Sequence, residues 1–309
     1  MVRSIGTDIT IVPSDKLDVD KWNSCALNSN NGSLFLTHEY LSGMAPAWSG
    51  LIIGDYDAIL PLTYKRKFGI KYLAALPFVK QMGLTGKWNA ELEVEDLFNA
   101  VHRYARYGDI CFSHQNQFLV ADNAKPFANY ELDLNRSYAA IFEGYHKTYR
   151  TRLNKIKKNK TLFFEPAKAS DVVEHYEAFL KDKIDIDLSA DFNRLAQLVL
   201  TEFGRRYFVP YKIVDKEGAL LLHGLYGKDD CRIYNFMTAV TPEGRKLNAS
   251  AFAVDYLIIN YAGSERVFDF MGSSLPGVRS FIESFGAVNR PYYVYHFNKL
   301  FWPLRLLKP

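Results

Sequence analysis

Phe268-Asp269-Phe270-Met271-Gly272-Ser273-Ser274 places one carboxylate between two aromatic residues, ahead of a turn of small residues. On a strand, Phe268 and Phe270 point to one face and Asp269 to the other. A carboxyl buried there without a cation has a raised pKa, which suits it to take a proton from an amine or a water. The alternative is an ordinary aspartate capping the turn Gly272-Ser273-Ser274. Backbone N–H groups near Gly272 and Ser273 are candidate oxyanion donors. These two residues, with Tyr234 and Arg279, form the expected substrate side of the site. His223, in Leu222-His223-Gly224, is a second candidate acid–base group, with a structural edge histidine as the alternative.

A second pattern suits an anionic donor. Thr241-Pro242-Glu243-Gly244-Arg245-Lys246-Leu247-Asn248-Ala249-Ser250 joins a strand to a helix that is apolar on nearly every side and therefore buried. The free N–H groups at such a helix N-terminus hold phosphates or carboxylates. Ala249 and Ser250 permit close approach, Asn248 tolerates a left-handed backbone or caps the helix, and Arg245 and Lys246 add charge. An ordinary turn and cap is the competing reading.

A third pattern is a basic helix. Tyr145, Tyr149, Leu153 and Ile156 form one apolar stripe, and Lys147, Arg150, Arg152, Lys155, Lys157, Lys158 and Lys160 cover the rest. It is either a solvated face or an anion-binding one, for coenzyme phosphates or tRNA, with Arg150 and Arg152 assisting at the donor site.

Other chemistries lack their signals. There is no P-loop, Gly-x-Ser-x-Gly elbow, GxGxxG or His-Glu-x-x-His. Cys25, Cys111 and Cys231 are widely separated, so buried free thiols are expected, with no disulfide framework and no metal site. The net charge of +4 is too mild to indicate a nucleic-acid protein by itself. No signal-peptide pattern and no apolar run near 18 residues is visible, so a cytoplasmic protein is expected. The C-terminal stretch Phe297–Lys308 alternates apolar bulk with cations. It packs back on the body, or makes a homodimer or peripheral membrane contact.

These groups need elements to position them. Strand patterns occur at Ile9–Val12, Leu51–Ile53, Ala58–Tyr64, Tyr72–Leu76 and Asp109–His114, with Tyr130–Leu134 closing the first half. Asp18 reads as an N-cap, and helices are expected over Glu91–Tyr107, Ser170–Lys181, Ala190–Arg205 and Ala249–Ala262, the last ended by Gly263. Strands at Phe208–Val214, Ala219–Tyr226, Arg232–Val240, Val267–Met271 and Tyr292–Phe297, and a short helix stopping at Phe285-Gly286, complete the second half. Both halves follow the order helix, antiparallel strands, helix, strand, strand. The expected fold class is α/β, with domains at 1–140 and 141–309.

Several stretches resemble the GNAT superfamily, specifically its tandem FemAB-like branch. They are Ile59-Leu60-Pro61-Leu62, Leu76-Pro77 and Gly83-Leu84, the basic helix with Arg150, Pro242-Glu243-Gly244-Arg245, and Phe268-Asp269-Phe270 with Phe281 and Phe285-Gly286. The resemblance implies two GNAT-like domains, each a mixed, largely antiparallel sheet flanked by helices, about a central cleft. It implies acyl transfer to a small-molecule or peptide-like amine. Acyl-CoA is the expected co-substrate and no cofactor is tightly bound; aminoacyl-tRNA is the donor in FemX-like enzymes that build peptidoglycan. Two departures stand out. The GNAT pyrophosphate loop has glycines where this chain has Asn248 and Ser250. FemX-like enzymes have Phe-Lys where it has Phe281-Ile282. An N-acyltransferase, a FemX-like transferase acting on a cell-wall precursor, and a non-catalytic binding protein on a degenerate GNAT fold therefore all remain as expectations.

Overall fold

The computed structural model describes residues 8–79, 81–88, 94–120, 124–181, 183–272 and 276–307. One compact unit is formed by the chain up to Phe127 together with the stretch from Pro291 onward, and the other by Ala128–Arg290.

The first unit holds strands β1 (Ile9–Pro13), β2 (Trp48–Ile53), β3 (Ala58–Lys67), β4 (Ile70–Leu73), β5 (Thr85–Gly86), β6 (Tyr107–Phe112) and β7 (Ala124–Phe127). Its helices are α1 (Val19–Asn28), α2 (His38–Met44), α3 (Val94–Tyr104) and α4 (Gln117–Val120). Asp18 starts α1 as expected, accepting the Lys21 N–H at 3.1 Å. All of β2 and Ala58–Thr63 of β3 are buried, and α3 closes the core with Leu97 and Val101 against Leu51, Leu60 and Phe112.

The second unit holds β8 (Tyr130–Asp133), β9 (Leu162–Pro166), β10 (Phe208–Asp215), β11 (Leu220–Lys228), β12 (Arg232–Val240), β13 (Val267–Asp269) and β14 (Val288–Asn289). Its helices are α5 (Tyr138–Glu143), α6 (Lys147–Asn159), α7 (Ala169–Lys181), α8 (Ser189–Leu198), α9 (Glu202–Tyr207), α10 (Pro242–Lys246), α11 (Ala249–Tyr261) and α12 (Pro276–Glu283). The sheet order is β14-β8-β13-β12-β11-β10-β9. Only β12–β13 is parallel among its described pairs. Alternating Tyr211, Ile213, Leu222 and Ile233 build the sheet side of the core, and α11 covers it with Val254, Leu257 and Ile258. Gly263 ends α11 at φ 81°, its N–H donating to the Leu134 and Arg136 carbonyls at 2.8 and 2.9 Å.

Four expectations meet a different arrangement. The final strand, β15 (Tyr292–Asn298), pairs with β6 and β7, so it completes the first unit's sheet, in the order β1-β2-β3-β4-β6-β15-β7. Conversely β8, read as the close of the first half, pairs with β13 and β14 in the second unit. The compact units thus fall at 127/128 and 290/291, where element order alone suggested 140/141. The single helix expected over Ala190–Arg205 is two, because Thr201 starts a new one: its hydroxyl accepts the Gly204 N–H at 3.1 Å and donates to the Leu198 carbonyl at 2.6 Å.

Candidate active site

β12 and β13 are in register for three rungs: Arg232 with Val267, Ile233 with Phe268, and Tyr234 with Asp269. β13 stops at Asp269, while β12 continues to Val240 along β11. The two parallel strands therefore part at Asp269. Asp269 is buried, and its Oδ1 accepts the N–H of Met271 at 2.8 Å. Met271 and Gly272, at φ 60° and 79°, turn the chain out of the sheet. A methionine in that region carries backbone strain, of the kind found at functional turns. Phe268 and Phe270 are both in the core with ring centroids 4.8 Å apart, as alternation requires.

The carboxylate has a cation nearby, so the condition of burial without one is not met. Arg232 Nη1 lies 3.6 Å from Asp269 Oδ2, but it is closer to Glu131 Oε1, at 2.7 Å. β8 delivers Glu131 to the rung directly opposite Asp269. One guanidinium is thus shared between two carboxylates, and Glu131 has the shorter contact. Burial pushes the Asp269 carboxyl up to about 6, Arg232 opposes the rise and Glu131 reinforces it. Asn129, buried just before β8, also lowers the Asp269 pKa, and its side-chain amide has no other partner among the described residues. Buried amides with unused hydrogen-bonding capacity are uncommon. Asn129, Glu131 and Arg232 were missed in the sequence because their link to Asp269 is strand pairing at long range.

The donor side forms at the start of α11. Asn248 has φ 60° and ψ 35°, and its side chain does not cap the helix, which leaves the first-turn amides free of a side-chain acceptor. Arg152 of α6 reaches across, Nη1 donating to Asn248 Oδ1 at 3.1 Å. The structure therefore brings Arg152, Asn248, Ala249 and Ser250 together. Arg150 lies on the same helix, half-buried, with its Nε unpaired. Arg245 and Lys246 face elsewhere: the Arg245 guanidinium stacks 5.8 Å from the Phe179 ring, and Lys246 pairs with Glu243 at 2.9 Å.

Lys157, read with its neighbours as part of a solvated or anion-binding face, is half-buried and tied to Asp255 at 2.6 Å. Asp255 is fully buried in α11 and also accepts the Tyr138 hydroxyl at 2.9 Å. Burial and Asp255 together push the Tyr145 hydroxyl well up. The one charged residue in an otherwise apolar helix was the available signal. This pair and the Arg152–Asn248 bond are two links between α6 and α11, and they fix Arg152 at the α11 N-terminus.

The remaining candidates are scattered. His223 pairs in register with Ala239, roughly 16 Å along β12 from the Tyr234–Asp269 rung at 3.3 Å per residue. It sits instead beside His175, Nδ1 to Nδ1 at 3.1 Å, and lines a cavity of about 450 Å³ with Lys168, Asp171 and Lys212. Burial, then His175, lower its pKa. Tyr234 is buried and spends its hydroxyl on Asp229 at 2.7 Å. Arg279 is exposed and bonds Glu283 at 2.8 Å, which also accepts the Tyr130 hydroxyl at 3.0 Å. Ser273 lies outside the described residues. Cys25 and Cys111 are buried and Cys231 is half-buried. No group of three or more metal-ligating side chains occurs among the described residues, and no described helix is long and apolar enough to cross a membrane.

No family model matches the sequence, and no curated protein matches it. Solved structures do. FemX superposes with a TM-score of 0.68 at 10% identity, covering 97% of this chain and 99% of its own. L-PGS from Bacillus licheniformis gives 0.55 at 12% identity, covering 94% of this chain and 95% of its own. The C-terminal domain of a putative lysylphosphatidylglycerol synthetase from Agrobacterium fabrum gives 0.53 at 12% identity and 94% of each chain. Two mixed sheets flanked by helices make up the chain, and over nearly its whole length it shares its fold with FemX and with these two proteins.

Proposed function

We propose that the chain is an N-acyltransferase that moves an acyl group from acyl-CoA to an amine. The observation that carries this reading is Asp269: a buried carboxyl pushed up to about 6 where two parallel strands part, beside the buried amide of Asn129. A group with that pKa is ionised at neutral pH and still basic enough to accept a proton. The amine nitrogen attacks the thioester carbonyl and forms the C–N bond. Asp269, directly or through a water, takes the proton released from nitrogen. The C–S bond then breaks, and the thiolate leaves and is protonated. The amides at Ala249 and Ser250, with Arg152 and Arg150, hold the donor's phosphates.

A second donor, aminoacyl-tRNA, is favoured by the face of α6. Lys147, Arg152, Lys155 and Lys158 are all exposed there. A cell-wall precursor or related amine would be the acceptor.

Calorimetry with CoA, acetyl-CoA and tRNA separates the donors. Acetyl-CoA binding that weakens about tenfold or more in Arg152→Ala supports the first, since a charged hydrogen bond contributes about 1.5–3 kcal/mol. Salt-sensitive tRNA binding lost in Lys155→Glu/Lys158→Glu supports the second. Asp269→Asn should keep donor binding and lose turnover. If no donor binds and no amine is acylated, a non-catalytic binding protein is the surviving reading.

A further inference from the structure

The first unit carries a feature that acyl transfer does not use. Beyond Tyr64, β3 runs out of the core: Lys65, Arg66 and Lys67 are exposed, and the strand turns back into β4 with Lys67 opposite Ile70. The two tip residues, Phe68 and Gly69, have φ of 51° and 77°. Two successive positive φ values are the mark of a type I′ turn, whose first position favours Asn, Asp or Gly. A bulky side chain there is strained. Phe68 accepts that strain while 93% exposed, so no burial within the protein offsets it. Ile70 beside it is exposed as well.

Strand directions bring a second aromatic group to the same place. β4 runs parallel to β6, with Leu73 opposite Gly108, and β15 runs antiparallel to β6, with Asn298 opposite Tyr107. The starts of β4 and β6 and the end of β15 therefore share one end of the sheet, where the Tyr72 and Tyr107 rings are 6.5 Å apart. The chain leaving β15 there carries Phe301 and Trp302, which are 68% and 76% exposed. Exposed cations lie on these same strands or directly beside them in the chain: Lys65, Arg66, Lys67, Arg106 and Lys299. The sequence has no Asp or Glu between Asp57 and Glu91, nor after Glu283.

We propose that this end of the first unit docks on an anionic lipid surface. Phe68, Ile70 and Trp302 enter the headgroup layer, and the cations lie against lipid phosphates. Trp and Phe suit an interface that is apolar on one side and wet on the other. Nucleic acids are held in grooves whose aromatic platforms stack on bases. A projecting hairpin apex that joins Phe68 to an aliphatic Ile70 fits a fluid apolar layer better.

Co-sedimentation with phosphatidylcholine vesicles, with and without phosphatidylglycerol, tests this without any turnover, so it stands or falls separately from the acyltransferase reading. The intact chain should bind the phosphatidylglycerol vesicles alone and release in high salt. Phe68→Asn, which relieves the turn and leaves the fold intact by circular dichroism, should weaken partition about tenfold, the loss expected for one apolar side chain. Lys65→Ala/Lys67→Ala should weaken it about fivefold per cation. Emission of Trp302, isolated by comparison with Trp302→Phe, should shift to shorter wavelength on binding. Three results would each overturn the proposal. One is no binding to phosphatidylglycerol vesicles at low salt. Another is binding unchanged in Phe68→Asn. The last is a chain that uses Phe68 to hold RNA or a second copy of itself while ignoring vesicles.

Discussion

Asp269→Asn has a consequence for stability that separates a tuned acid–base group from a structural ion pair. The folded carboxyl is pushed up to about 6 from an ordinary value of 3.8, a rise worth about 3 kcal/mol. The folded state therefore holds the proton over a range where the unfolded chain has lost it, and wild-type stability from this group falls as pH rises from about 4 to about 6. Asparagine matches the neutral carboxyl in shape and does not ionise. Near pH 4 the variant and the wild type should be nearly equal in stability. By pH 7 the variant should gain about 3 kcal/mol relative to wild type, because the ionised form is disfavoured by burial while Arg232 is already engaged with Glu131. Urea unfolding of both chains across this range measures the difference, and taking the difference cancels the titration of every other carboxylate. Should the variant instead lose ground as pH rises, Arg232 would be stabilising an ionised Asp269, its pKa would be depressed, and the case for a proton acceptor at this fork would collapse.

In activity, the same group predicts a kcat/KM that falls below about pH 6, with roughly a tenth of the neutral value left at pH 5; a profile flat down to pH 5 would remove Asp269 from the proton transfer. Lys157→Met should cost about 3–5 kcal/mol by leaving buried Asp255 uncompensated, and Lys157→Met/Asp255→Leu should recover much of it, as read by chemical denaturation. Gly224→Ala drives a Cβ into the Tyr211 ring and should lower stability by about 1–3 kcal/mol, visible as a lower melting temperature. Burial pushes the Cys25 thiol up to about 11, so iodoacetamide should label it at pH 8 only after unfolding.

Elements set by local pattern were legible. Asp18 caps α1, Gly263 ends α11, and Asn248 takes the left-handed conformation that its place in the sequence allowed. Each follows from propensity over a few residues. The burial of α11 was legible in its composition, but the single Asp255 within it was the residue that mattered, and only its partner's position shows why. Lys157 looks like its neighbours in sequence; α11 packing on α6 is what takes it out of solvent. His223 and Asp269 are both plausible acid–base residues by type, yet the register of β11 on β12 sets them roughly 16 Å apart.

The sequence by itself determined that Asp269 would sit in a strand between two inward aromatics, because alternation is a property of the strand alone. It also determined the positive character of α6 and the small residues at the start of α11. Tertiary structure alone decided that β8 would bring Glu131 opposite Asp269, that Arg232 would be shared between them, and that β15 would return to the first sheet. These depend on pairings between residues far apart in the chain, about which local propensity is silent. The pKa of Asp269 belongs to that second group. Its identity is written in the sequence, and its chemistry is set by which strands lie beside it.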